Sequence, residues 1–180
     1  MRAVVFSAVL IVCLSLRPSV AETVRFTIAA LPQSIANNIQ TKYPGWRPVR
    51  ISDLESDDQQ LWTKVHGDLC PGIASGHFES HTRTTYAVLL ISSIPSRQGY
   101  KFLLFNKAPG ASRSILLASA EGANAGQPVI SRVPPGKYSD PETGESVDTK
   151  MDSVLIEWIE AAAQLFYWTG SRYQKLQVQD

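Results

Sequence analysis

Cysteine is nearly absent, with two in 180 residues. One of them, Cys13, lies in a leading apolar segment expected to be removed. Cys70 then stands alone, so no intramolecular disulfide is available and stability must come from burial. An excess of one charge is missing too. Seventeen Lys and Arg face 16 Asp and Glu, for a net +1. No basic run or stripe breaks that balance, which argues against a nucleic-acid partner or an anionic membrane surface. Beyond the first segment no apolar run approaches the roughly 20 residues of a spanning helix, so no membrane insertion is expected after processing. Catalytic signatures are lacking as well. Ser75 stands one place too late for a nucleophile elbow in Gly72-Ile73-Ala74-Ser75-Gly76, and there is no phosphate-binding Gly-rich loop or Cys-x-x-Cys pair. The chain is therefore expected to be non-catalytic and to need no cofactor, with no catalytic, cofactor or metal residue assigned.

What is present begins with an export signal. Arg2 supplies the positive start, residues 3–16 are almost unbroken apolar, and Ser19-Val20-Ala21 offers the small residues a signal peptidase reads. Cleavage after Ala21 leaves residues 22–180, a length suited to one domain with a single core. It also removes Arg2 and Arg17, which brings the net charge to about −1. The expected location is secreted or periplasmic. Lipid attachment at Cys13 is disfavoured because Val12 precedes it, where a small residue is wanted.

Along the mature chain, Val24-Arg25-Phe26-Thr27-Ile28 alternates as a short strand. Pro32 fits the first turn of a helix whose stripe is Ile35, Ile39 and Tyr43, stopped by Pro44-Gly45. Residues 49–51 can pair briefly as a strand. Ser56 with Gln59 forms a capping-box pattern, and Asp57 and Asp58 suit a helix start. Leu61, Trp62 and Val65 give that second helix an apolar face, and Gly67 ends it. Residues 86–91 are apolar throughout and read as a strand covered on both faces. Tyr100-Lys101-Phe102-Leu103-Leu104-Phe105 and Ser114-Ile115-Leu116-Leu117-Ala118 continue it as an antiparallel meander. Residues 120–150 read as loops broken only by 129–133. Asp140, Glu142, Glu145 and Asp148 there have no calcium-loop spacing and are expected to be solvated. Residues 154–160 return to sheet, and 164–168 and 172–178 form a hairpin about Thr169-Gly170-Ser171. The aromatics Trp158, Phe166, Tyr167, Trp168 and Tyr173 are expected to pack in the core or across strands, with a sugar platform as the alternative.

The stretch Gly76-His77-Phe78-Glu79-Ser80-His81-Thr82-Arg83-Thr84-Thr85-Tyr86-Ala87-Val88-Leu89-Leu90 resembles the calcium loop and following strand of integrin-type FG-GAP or VCBS repeats. Gly76, Phe78, Tyr86 and Ala87 fit that pattern. His77 and His81 stand at aspartate places, Glu79 at the asparagine, Thr82 at the glycine and Thr85 at the last aspartate. The resemblance implies a loop-and-strand shape without calcium, since calcium takes six to eight oxygen ligands. It covers one unit, where a propeller needs at least four blades. The whole arrangement resembles small exported bacterial proteins without an assigned activity.

Read from the residues alone, His77, Glu79 and His81 would project to one side if residues 77–81 were extended, making a transition-metal set. Cys70 is expected to be a small buried hydrophobe, with a His66-assisted nucleophile or an intermolecular disulfide as the alternative. The fold class expected is α+β, with two short N-terminal helices on a mainly antiparallel sheet of six to nine strands. The function expected is an exported binding or inhibitor-type domain for a protein or envelope ligand. A metal-dependent protein or hydrolase using His77, Glu79 and His81 is the alternative.

Overall fold

A computed structural model describes residues 31–94, 96–108, 111–122 and 126–179. The export signal expected at 1–21 and the strand expected at 24–28 lie outside the described residues. Among the described residues two α-helices accompany eleven strands, every pair of them antiparallel, and the fold is α+β.

Helix α1 (Gln33–Lys42) turns Ile35 and Ile39 inward, and Pro32 caps it from outside through its carbonyl. Strand β1 (Trp46–Pro48) comes three residues before the strand expected at 49–51. The chain turns away there because Asp53 binds Arg47 twice, at 2.5 and 2.7 Å, and also accepts the Arg50 N–H at 2.8 Å. Helix α2 (Ser56–His66) starts at Ser56 itself, so Ser56 cannot cap it. Gln59 instead reaches the Leu54 carbonyl at 2.9 Å, and the expected capping box does not form. Trp62 is buried, whereas Val65 is 73 % exposed. The buried face continues at the four-residue offset, where His66 stacks on the Trp62 ring at 4.0 Å, and this turns Val65 to solvent.

The first sheet has the order β1-β3-β4-β5, from β3 (Thr85–Ser92), β4 (Gly99–Ala108) and β5 (Ala111–Glu121), with β2 (Ile73–Gly76) also on β3. This is the expected meander. β1 and β2 together make one edge strand, interrupted at Leu89. Val49 donates its N–H to the Leu89 carbonyl at 3.1 Å, and Gly72 accepts the Leu89 N–H at 2.9 Å. One edge position is thus assembled from two residues at the ends of an excursion that carries α2. Gly72 is required by that meeting, because a Cβ there would lie 2.4 Å from Val49 N.

The second sheet has the order β11-β10-β9-β6, from β6 (Val129–Val133), β9 (Ser153–Trp158), β10 (Ala162–Trp168) and β11 (Tyr173–Gln179). A hairpin of β7 (Gly136–Ser139) and β8 (Ser146–Thr149) occupies the region expected to be loop. Its apolar content is sparse, but Tyr138 and Val147 sit opposite each other and pack on the outer face of the second sheet with Leu155 and Leu165.

The expectation of one sheet is therefore corrected to two stacked sheets with a cover on each outer face. Ala87, Leu89, Phe102 and Leu104 meet Val154, Ile156 and Phe166 between the sheets. Val88, Leu90, Leu103 and Phe105 meet Ile35 and Ile39 of α1 on the other side. Those two coverings explain why β3 is apolar at successive positions. Among the described residues no helix is long and apolar enough to cross a membrane.

Candidate functional site

The loop between β2 and β3 organises the site. Phe78 is 1 % exposed and anchors the loop in the inter-sheet core. Asp152, just ahead of β9, accepts the His77 N–H at 2.8 Å and faces Arg132 at 3.5 Å. Gly76 makes room for this, since a Cβ there would come within 2.8 Å of the Asp152 carboxylate. With Phe78 turned inward, Glu79 is half-buried and accepts a 2.7 Å hydrogen bond from Asn106 Nδ2 on β4. The Tyr173 hydroxyl on β11 is held well above the usual phenol range, by burial first and by the nearby Glu79 charge second. Asn106 Oδ1 is buried and completes no hydrogen bond to a described atom, whereas the buried Tyr173 hydroxyl lies against the Glu79 carboxylate.

The β10–β11 hairpin extends this corner. Trp168 sits opposite Tyr173 in register, with ring centres 5.0 Å apart. Tyr167 donates to Gln174 Oε1 at 3.0 Å. Glu79, Asp148, Met151, Trp168 and Gln174 line an open cleft of about 600 Å³ between the β7–β8 hairpin and the hairpin turn at Gly170. Lys150 also lines it, paired with Asp148. This volume falls in the range of small-ligand sites. A second cleft, of about 430 Å³, includes Glu55, Arg97 and Gln127. Beside it Arg97 and Lys101 lie over the Trp46 ring at 5.0 and 4.6 Å and pair with Glu121.

Residues 77–81 are not extended, and the three side chains of the expected metal set separate. His77 is exposed with Nδ1 3.3 Å from the Arg83 carbonyl, His81 is exposed in a turn, and Glu79 faces Asn106. Among the described residues no group of three His, Cys, Asp or Glu side chains is placed to hold a metal ion. Asp140 accepts the Glu142 and Thr143 N–H groups and shapes the β7–β8 turn. Cys70 hydrogen-bonds the Val49 carbonyl at 3.2 Å, and burial pushes its thiol up. Burial holds the His66 imidazole down, so neither the thiol nor the imidazole is tuned to make Cys70 a thiolate.

The expected aromatic cluster divides. Trp158 and Phe166 meet Tyr100 and Phe102 edge-on in the core, while Tyr167 and Trp168 line the cleft end and Tyr173 contacts the Trp168 ring. Sequence reading missed Asn106 and Asp152. Asn106 had one signal, a polar residue directly after the apolar run Phe102-Leu103-Leu104-Phe105, and Asp152 had none. Compared with family models, with curated proteins and with solved structures, the chain matches none.

Proposed function

We propose that the chain is an exported, non-catalytic binding domain that takes part of an envelope ligand into the cleft beside Glu79. The cleft carries this reading. It combines an aromatic wall at Trp168 with acceptors and donors at Glu79, Asp148 and Gln174, carried by the β2–β3 loop and by the β7–β8 and β10–β11 hairpins at the second sheet. Apolar surface with a few fixed polar groups is the usual chemistry of ligand recognition. Export rests on the three-part signal in residues 1–21.

The test pairs localisation with retention. Expression of the full chain should release a product beginning at Glu22 into the exported fraction. The purified product should then co-sediment with envelope material, and Trp168→Ala should abolish co-sedimentation without lowering the melting temperature appreciably. Equal retention of the wild type and Trp168→Ala, or turnover of an envelope substrate, overturns the reading.

A further inference from the structure

We propose that the cleft recognises its ligand by a primary ammonium group, seated against Glu79. This rests on the cleft being the binding site and names what it binds. Glu79 is a half-buried carboxylate whose described partners are both uncharged, the Asn106 amide at 2.7 Å and the Tyr173 hydroxyl. Among the described residues it takes part in no ion pair. A carboxylate drawn partly out of water with no counter-charge is unfavourable, and a cationic ligand removes that cost.

The nearby cations do not meet the demand. Lys150 is committed to Asp148. Arg83 borders the far side of Glu79 with its residue exposed, and its described hydrogen bonds are those of its backbone, with His77 and Ser80.

The corner is also rich in acceptors. A carboxylate offers about four lone-pair sites, and Asn106 fills one of them. Asp148 adds a second carboxylate on the cleft wall, while Asn106 Oδ1 and the Tyr173 hydroxyl are buried and do not line it. A group that donates three hydrogen bonds and accepts none is the complement, and an alkylammonium is that group. Trp168, in ring contact with Tyr173 and on the cleft wall, supplies a face for the carbon chain or ring that carries the charge.

The probes are Nα-acetyl-lysine amide, its Nε-acetyl and Nε-trimethyl forms, and glucosamine, titrated against the purified protein by calorimetry. The free ammonium should bind. The acetylated form, which lacks the charge, and the trimethylated form, which lacks the donors, should bind roughly tenfold more weakly or worse. Glu79→Gln keeps an acceptor for Asn106 and should fold normally while losing ammonium binding to the same degree. Added salt should weaken binding. Preference for the lysine amide over glucosamine assigns the group to a polypeptide, and the reverse to an amino sugar. Equal binding of the acetylated form, or unchanged affinity in Glu79→Gln, overturns the proposal. If no amine binds at millimolar concentration while envelope retention still depends on Trp168, the ammonium assignment fails and the cleft survives. If retention is indifferent to Trp168, the cleft fails with it.

Discussion

Placing a methyl group on Gly72 tests the interrupted edge strand directly. The new Cβ would sit 2.4 Å from Val49 N, 2.7 Å from Val49 O and 3.0 Å from Leu89 O, all backbone atoms. No side-chain rotation relieves such contacts, so the two halves of the edge must part. Overpacking of this kind costs about 1–3 kcal/mol. The Val49–Leu89 and Leu89–Gly72 hydrogen bonds would stretch as well, each adding about 0.5–1.5 kcal/mol. Gly72→Ala should therefore lose about 2–6 kcal/mol in a urea titration. For a chain of this size that is a fall in Tm of about 5–20 °C. Exchange of the Val49 and Leu89 amides should quicken most. Gly136→Ala is the control, because its Cβ would meet nothing nearer than 3.7 Å. It should stay within about 0.5 kcal/mol of the wild type or gain slightly from a stiffer unfolded chain. If Gly72→Ala melts within about 1 °C of the wild type, the close approach at Leu89 is wrong.

Three further outcomes are expected. Burial alone would raise the Asp53 carboxyl, but hydrogen bonds from Arg47 and the Arg50 N–H outweigh it and hold the group below its ordinary 3.8. That contribution is complete above the ordinary value and is lost as pH falls through the lower folded value, so Asp53→Asn should flatten acid unfolding in that window; an unchanged acid profile refutes the pairing. Cys70 should react with a thiol reagent near neutral pH roughly tenfold more slowly in the folded chain than in urea, and rapid folded-state labelling would restore the nucleophile reading. Val65→Gln should change stability by no more than about 0.5 kcal/mol in a urea titration, whereas Trp62→Ala should cost about 3–5 kcal/mol.

Much of this architecture was legible because burial leaves a periodic record. The run 86–91, the meander and the final hairpin were all readable, since long apolar strands and a Thr-Gly-Ser turn declare themselves locally. The second sheet was not, because alternation shows that a strand has two faces and not which sheet covers each one. Val65 misled for a related reason: an apolar residue three positions from Trp62 satisfies a helical pattern, yet the packed stripe ran through His66. The β7–β8 hairpin was hidden by Pro, Gly and acidic residues around only two apolar anchors, Tyr138 and Val147. At the cleft, Glu79 and Trp168 stood out as residue types, but they lie far apart in the chain. Register pairing of Thr85 with Asn106 and of Trp168 with Tyr173 puts partners beside them, and residue spacing along one strand does not contain that information.

The split at Leu89 also makes residues 50–71 a graft. Val49 and Gly72 meet at one position of the edge, so the excursion leaves and rejoins that edge at adjoining ends. Asp53 on Arg47, the Pro71 carbonyl on the Ile130 N–H, and Trp62 and Leu54 in the core tie it down. A segment of another length or another fold could replace it without shifting the register of β1 or β2 on β3, provided it brought an apolar plug to stand where Trp62 and Leu54 stand now. The body of the fold is in that sense a socket, and α2 is one of many heads it could wear.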